Sequence, residues 1–246
     1  MDLGHITAEN YTKRLAIIVP YRDRAEHVAA FISHMATYFV RDKLDCRIDY
    51  SIHIVEQLPG KPFNRGKLLN CGFAIARDSH DYFCFHDVDY LPIWADYSYA
   101  ASPTRIIWHG LTKKENHETF FGGVVLFNRA DFIRANGYSN DYWGWGPEDL
   151  ELGIRSEMMG LKRERRDGTF RSLPHPDNGF NPDLTHTPEA AATIALWKTR
   201  KDRLIDIIPN DGLTSLKFKI LEENPLELGK LPVVPRGTVT RHLVDI

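Results

Sequence analysis

The first third of the chain alternates between strand-like and helix-like segments, and this order limits the possible folds more than any other feature. Residues 15–20 and 82–85 are short apolar runs, and residues 48–54 alternate between apolar and polar, so all three predict β-strands. Residues 28–39 and 68–76 place apolar side chains at helical spacing. A β-α-β-α-β order predicts an α/β fold, with a Rossmann-like, mostly parallel central sheet and helices on both faces.

Polar motifs follow two of these predicted strands. "VPYRDR" ends the first strand at residues 19–24, and "HDVD" follows the third at residues 86–89. Ligands of open parallel sheets bind beyond the carboxyl ends of the strands. We therefore expect a ligand site where these two motifs meet.

The rest of the chain predicts further elements. A strand is predicted over 119–127, with a glycine pair inside it, and a short helix over 130–136, closed by Gly137. A second helix runs from Pro147 to Gly160 and buries Leu150, Ile154 and Met158. A loop over 161–190, a helix over about 188–205, a strand over 214–221 and a possible edge strand over 239–244 complete the chain. Cys71 and Cys84 lie in apolar runs, which favours buried free thiols over a disulfide.

The charge balance bears on the partners. With 31 basic and 33 acidic residues the formal net charge is -2, which gives no electrostatic footprint for nucleic acid. No run reaches the roughly 18 apolar residues that a membrane-spanning helix needs. The first residues have neither a basic nor an apolar segment of the signal-peptide type, so we expect a cytoplasmic location.

Asp87 and Asp89 form a D-x-D pair at the end of the third strand. Side chains alternate along a strand, so both carboxylates point the same way. Two carboxylates side by side suit a hard cation such as Mn²⁺ or Mg²⁺. The alternative interpretation is a solvated turn, or the metal site of a phosphohydrolase.

The segment "YWGWGPEDLEL" at 142–152 places two tryptophans before two acids. Pro147 favours the first helical position, so Glu148 and Asp149 fall in the first turn, where the helix dipole stabilises carboxylates. Two acids there could be plain helix-start residues. Trp143 and Trp145 favour another interpretation, because an aromatic plane beside fixed carboxylates can hold a sugar.

Five segments in this order resemble the β-1,4-galactosyltransferase family, glycosyltransferase family 7. They are "VPYRDR" (19–24), "FNRGKLLNCGF" (63–73), "FHDVDYLP" (85–92), "FFGGVVLFNRADFIRANGYSNDYWGWGPEDLEL" (120–152) and "NDGLTSLKFKIL" (210–221). The resemblance covers residues 15 to 221. It implies a GT-A type fold and one catalytic domain over 1–246, with a nucleotide-binding half at about 14–95 and an acceptor and catalytic half at about 96–246.

The resemblance also implies a reaction. Galactose, or N-acetylgalactosamine, would pass with inversion from the UDP-sugar to a glycan or glycolipid acceptor, with Mn²⁺ as cofactor and Mg²⁺ as a possible substitute. Phe120 replaces a tyrosine of the animal enzymes, and its bulk favours galactose. The chain could act at the cytoplasmic membrane face as a peripheral protein. The alternative is a non-catalytic protein that binds UDP-sugar or glycan beside a polysaccharide polymerase.

Residue roles follow from the same resemblance. Asp149 is the implied general base, and Glu148 holds the sugars with it. Asp89 is the implied metal ligand, together with a downstream histidine, for which we favour His175 over His186. Donor contacts are implied for Pro20, Tyr21, Arg22, Arg24, Phe63, Arg65, Asp87, Val88, Gly123 and Trp145, and Trp145 also lies against the acceptor. Leu150 stands where the family often has a third acid, and Glu151 follows it.

Overall fold

The computed structural model describes residues 13–41, 48–106, 121–174, 187–226 and 237–246. The strands are β1 (Arg14–Tyr21), β2 (Asp49–Gln57), β3 (Tyr82–His86), β4 (Tyr90–Ala95), β5 (Thr104–Arg105), β6 (Val124–Asn128), β7 (Glu164–Arg165), β8 (Gly168–Ser172), β9 (Lys219–Pro225) and β10 (Thr238–Asp245). The α-helices are α1 (Ala25–Arg41), α2 (Arg65–Ala76), α3 (Arg129–Arg134), α4 (Glu148–Met158), α5 (Pro188–Arg200) and α6 (Leu204–Ile207).

Eight strands form one sheet in the order β7-β5-β6-β3-β1-β2-β10-β9. The four central strands β3, β1, β2 and β10 are parallel, with Ile17 of β1 in register with Ile52 and Cys84. Strands β6 and β9 flank this centre in antiparallel orientation. The parallel α/β sheet that the alternating order predicts is therefore confirmed, and β4 and β8 form a separate ribbon.

Helices cover both faces of the sheet. Leu15, Ile17 and Val19 pack in one apolar cluster with α1, whereas Ala16 and Ile18 pack in a second cluster with α2, α3 and α4. Successive side chains of β1 thus point to opposite faces of the sheet and pack in two different cores. At Gly72 a Cβ would overlap the Ile18 side chain, so this glycine lets α2 lie close against β1. That close packing sets where α2 begins, at the carboxyl end of the sheet.

Several predicted strand limits are wrong. Gly122 and Gly123 precede β6 instead of lying inside it. The strand predicted over 214–221 begins only at Lys219, after a short 3₁₀ turn. The segment predicted as an edge strand is internal, because β9 pairs with β10 on the side away from β2. The predicted loop over 161–190 contains β7 and β8, and its last residues start α5.

The buried face of α4 also differs from the prediction. Leu150 and Ile154 are half-buried and Met158 is 41% exposed. The buried side chains include Glu151 and Arg155, each fully inaccessible to solvent. The apolar spacing suggested the wrong face, because charged partners elsewhere in the chain neutralise the acidic and basic residues of α4.

Cys71 and Cys84 are buried free thiols, as predicted, and burial raises the pKa of Cys71 to about 12. Cys46 lies outside the described residues. Among the helices of the described ranges, none combines the length and apolar character needed to cross a bilayer.

Candidate active site

One arginine joins the two acidic motifs. Arg65 opens α2, and its Nε donates to Oδ1 of Asp87 at 2.7 Å. Its Nη1 donates to Oδ1 of Asp149 at 2.7 Å and lies 3.5 Å from Oε1 of Glu148. Acids from the end of β3 and from the start of α4 therefore share one guanidinium group.

Asp87 is held at the tip of β3 by its backbone. Its amide donates to the Gly123 carbonyl at 2.9 Å. Nδ1 of the buried His86 lies 2.8 Å from the Asp87 carbonyl, and Nε2 lies 2.9 Å from the Tyr97 hydroxyl. Burial lowers the pKa of His86 to about 4, so the ring is neutral, donates from Nδ1 and accepts at Nε2.

The glycine pair makes room for the other acid. A Cβ at Gly122 would overlap the carboxylate of Asp149, so a larger residue there would displace that side chain. Gly123 has a φ of 79°, a left-handed conformation that favours glycine. Glu148 and Asp149 lie in the first turn of α4, as predicted, although Pro147 makes no side-chain cap.

The acids perturb one another. Burial and, to a smaller extent, nearby Asp149 raise the pKa of Glu148 to about 8, although Arg65 opposes the shift. Burial also raises the pKa of Asp87 to about 6, with Arg65 again opposing and with Asp89 and Asp149 adding to the rise. Burial acts to lower the pKa of Arg65, but Asp149 and Asp87 outweigh it and raise the pKa. Asp89 and Asp149 are thus both close enough to Asp87 to affect its ionisation.

Three buried polar atoms at this site have no hydrogen-bond partner within the described part of the chain. They are Nη2 of Arg65, the hydroxyl oxygen of Tyr138 and Oε2 of Glu148. The Arg65 guanidinium carbon lies 5.9 Å from the centre of the Tyr138 ring. Unpaired buried polar groups are costly, so the arrangement fits a ligand that offers both donors and acceptors, such as a sugar with its hydroxyl groups.

A second group of predicted residues lies at the end of β1. Arg22 stacks over the Phe63 ring at 5.4 Å and donates from Nη1 to the Lys61 carbonyl at 2.6 Å. Pro20 and Tyr21 are the last residues of β1, and Arg24 precedes α1. Cationic and aromatic side chains in contact can bind a nucleotide and its phosphates.

The two tryptophans have different environments. Trp143 packs against the core beneath Lys61 and Lys67, whose Nζ atoms lie 5.8 and 5.7 Å from its ring. Trp145 is 53% exposed. Tyr142 is buried and its hydroxyl donates to Glu151. The exposed Trp145, three residues before Glu148, thus offers an aromatic surface to a ligand.

The described residues include only part of the predicted metal site. Asp89 lies two residues after Asp87 and is 8% exposed, and its carboxylate oxygens are ligands that suit a hard cation. His175 and His186 lie outside the described residues, as does Phe120. Within the described ranges, no three His, Cys, Asp or Glu side chains are grouped so that they could hold a metal. The donor chemistry of Asp89 fits Mn²⁺ or Mg²⁺, with the remaining ligands coming from elsewhere.

Three further residues, one predicted and two overlooked, lie at or near the site. The Val88 side chain packs in the core cluster of α1, which leaves its backbone as the part that could meet a nucleotide. Sequence reasoning gave no role to Tyr138 or Gly122, although both lie in the long motif quoted above. Tyr138 lies in the pattern "NGY" and Gly122 in the pattern "FFGGV". Their roles depend on contacts between distant segments, of Tyr138 with Arg65 and of Gly122 with Asp149.

Comparison with protein families gives two matches. Residues 6–101 match a model described as the N-terminal region of glycosyl transferase group 7. Residues 106–176 match a model described as the N-terminal domain of galactosyltransferase.

Individual relatives cover most of the chain. β-1,4-Galactosyltransferase 4 of Mus musculus is 32% identical over 223 residues, which are 87% of this chain and 61% of the mouse protein. β-1,4-Galactosyltransferase 7 of Drosophila melanogaster is 32% identical over 240 residues, 94% of this chain and 70% of that protein. A crystal structure of a variant of the Drosophila enzyme, in complex with manganese, UDP-Gal and xylobiose, matches with a TM-score of 0.73 and 28% identity, over 96% of this chain and 94% of that chain. The GT-A type fold is thereby confirmed.

Proposed function

Because the chain belongs to glycosyl transferase group 7, the β-1,4-galactosyltransferase family, we propose that it is an inverting galactosyltransferase that forms a β-linkage from UDP-galactose to a sugar hydroxyl. The chain spans 61% of the length of the mouse relative, so the activity is proposed for this chain on its own geometry. The observation that carries the proposal is the Arg65 bridge. It brings Asp87 of the D-x-D motif and both acids of α4 into one site.

Asp149 is the proposed general base. An inverting transfer needs one base to accept the proton of the acceptor hydroxyl as the new bond forms. Arg65 and the neighbouring Gly122 backbone fix the orientation of the Asp149 carboxylate. Glu148, with its unpaired Oε2, is placed to hydrogen-bond a sugar hydroxyl.

We place the diphosphate on the side of Asp87 away from the α4 acids, near the end of β1. We assign Arg22, Phe63 and Arg24 to the nucleotide, and Asp89 with His175 to the cation. When bound there, a divalent cation would neutralise charge on the departing diphosphate. Asp87 itself accepts a hydrogen bond from Arg65, so we assign it to the electrostatic field of the site and to contact with the donor sugar.

Galactose is the proposed donor sugar over N-acetylgalactosamine, on the strength of the aromatic Phe120. The acceptor is proposed as a sugar-ended glycan or glycolipid. The Drosophila relative was crystallised with xylobiose, which makes a xylose-ended acceptor one candidate for this chain. A cytoplasmic location and peripheral association with a membrane stay predictions.

An acceptor panel tests the function. UDP-galactose, UDP-N-acetylgalactosamine and UDP-glucose are each incubated with xylobiose, N-acetylglucosamine and glucuronic acid, with Mn²⁺ or with EDTA. We expect UDP release that requires Mn²⁺ and acceptor, with a product heavier by one hexose. UDP release unaffected by acceptor would favour a phosphohydrolase, and UDP-galactose binding without release would favour a non-catalytic binding protein.

A further inference from the structure

The loop that carries Trp145 rests on helix α5. Gly144 has a φ of 88°, and a Cβ on it would come within 2.9 Å of the Glu189 Cβ. A Cβ on Gly146 would lie 3.2 Å from the Cβ of Thr193. Both glycines beside Trp145 therefore face α5 at close range. This contact explains why the tryptophan is flanked by glycine on each side.

The Thr193 hydroxyl fastens the loop to the helix. Thr193 is 3% exposed, and its Oγ1 lies 2.6 Å from the Trp145 carbonyl and 2.9 Å from the Ala190 carbonyl. The opposite side of the loop is tied down by the Gly144 amide, which donates to the Phe63 carbonyl at 2.6 Å. The backbone of Trp145 is thus fixed while its ring stays exposed.

Helix α5 is itself anchored to the body of α4. Arg200 donates to Asp141 at 3.0 Å, to Glu151 at 3.2 Å and to Asp211 at 2.5 Å. Glu151 lies one turn after Glu148 on α4. The helix that supports Trp145 and the helix that carries the acids therefore form one connected frame.

We infer that Thr193 is a positioning residue for sugar binding, because its hydroxyl holds the backbone of Trp145, three residues before Glu148, against α5. This inference rests on the proposed function, because it assigns the exposed ring to a sugar. Arg22, which we assign to the nucleotide, bonds to the Lys61 carbonyl, and Asp89 lies in the turn between β3 and β4, so neither belongs to α5 or to the Trp145 loop. Loss of the Thr193 hydroxyl should therefore weaken sugar binding more than UDP binding.

Three variants separate positioning from plain packing. Thr193→Val keeps the shape but replaces the hydroxyl with a methyl group, which is too large to stay 2.6 Å from the Trp145 carbonyl. Thr193→Ser keeps the hydroxyl and should recover most of the wild-type behaviour. Thr199→Val is the matched control, because the Thr199 hydroxyl bonds within α5, to the Leu196 carbonyl at 2.8 Å, and is exposed.

Hydrogen–deuterium exchange tests the support without any turnover. In Thr193→Val we expect the amides of residues 143–146 to exchange about tenfold faster, with α4 and the rest of α5 unchanged. Unchanged exchange in the loop would refute the inference. Faster exchange throughout α4 and α5 would also refute it, since that result describes a general packing defect.

Steady-state kinetics test the consequence. With UDP-galactose and xylobiose, or N-acetylglucosamine if that sugar gives product, Thr193→Val should raise the acceptor KM about fivefold, whereas the Kd of UDP, measured by calorimetry, should change less than twofold. An equal rise in both constants, or no rise, would overturn the positioning role. If the wild-type protein transfers no sugar, the proposed function fails, and the exchange experiment still decides whether Thr193 holds the loop.

Discussion

At the scale of single residues, Arg65 determines the electrostatics of the site. Three carboxylates lie around its guanidinium group, and one cation cannot balance three anions. Burial raises the pKa of Glu148, which favours its protonated form over that of an ordinary glutamate. A protonated Glu148 can donate a hydrogen bond, which adds a donor for a sugar hydroxyl beside the acceptor on Asp149.

Asp149→Asn tests the assignment of the base. The amide keeps the shape of the carboxylate but cannot accept the acceptor proton, so turnover should fall by about 10² or more. UDP binding, measured by calorimetry, should change little. Normal turnover in this variant would show that another group is the base.

Asp89→Ala tests the cation site. Removal of this carboxylate should abolish Mn²⁺-dependent binding of UDP-galactose in calorimetry, because Asp89 is the metal ligand assigned within the described residues. Circular dichroism serves as the control for folding. Binding that remains as tight as in the wild type, and still needs Mn²⁺, would exclude Asp89 as a ligand.

At the scale of elements, helix α4 is held by buried charges. Arg155 donates to Glu151 at 2.7 Å and to Asp211 at 2.5 Å, and Arg200 donates to the same two acids. The Tyr142 hydroxyl completes the group by donating to Glu151. This network links the segment before α4, α4 itself, α5 and the "NDG" turn, and so holds the helix that begins with Glu148 and Asp149.

Arg155→Leu should therefore be strongly destabilising. The change leaves two buried acids with Arg200 as their remaining arginine, and breaking a buried ion pair costs about 3–5 kcal/mol. Urea denaturation measures the loss. The exposed pair of Arg77 and Asp78 gives the matched control, because Arg77→Leu should cost less than about 1 kcal/mol. Equal losses in the two variants would contradict a special role for the network.

At the scale of the whole molecule, a chain of histidines runs across the sheet outside the active site. The His53 Nδ1 lies 3.0 Å from Nε2 of His242, and the Ser51 hydroxyl lies 2.7 Å from both His53 and His80. Burial, with smaller effects from the neighbouring His242 and His80, lowers the pKa of His53 to about 3. Burial also lowers the pKa values of His80 and His242, so the group is packed in its neutral form.

The histidine chain predicts a loss of stability in acid. His53 takes up a proton near pH 6.5 when unfolded but only near pH 3 when folded, so stability is present above pH 6.5 and falls as the pH drops. By pH 5 the loss from His53 is about 2 kcal/mol. Glu148, whose folded pKa is raised, contributes with the opposite sign between pH 8 and pH 4.5.

A variant isolates the contribution of His53 from that of Glu148. Urea denaturation at pH 7.5 and pH 5 should show that the wild type loses about 2 kcal/mol more than His53→Gln. The glutamine has no titrating group but keeps a side-chain donor and acceptor. The same pH dependence in both proteins would show that His53 is not held neutral.

The sequence predicted those features that depend on neighbours within one element. The apolar run of β1, the alternation along β2 and the helical spacing in α1 and α2 predicted the parallel α/β sheet, and the D-x-D motif and the acids after Pro147 were placed at the ends of their elements. These signals are local, because the period of a strand or helix is visible in the residues themselves.

The α/β fold and the acidic motifs could be recognised from the amino acids alone, whereas contacts between elements in the folded chain set which residues meet. Arg65 reaches Asp149 across 84 positions of sequence, and Arg155 reaches Asp211 across 56. The apolar pattern of α4 indicated the wrong buried face, because a charged residue can be buried when a distant segment supplies its partner. The support of Trp145 by Thr193, 48 positions away, has the same origin, since contacts between elements leave no period in the sequence.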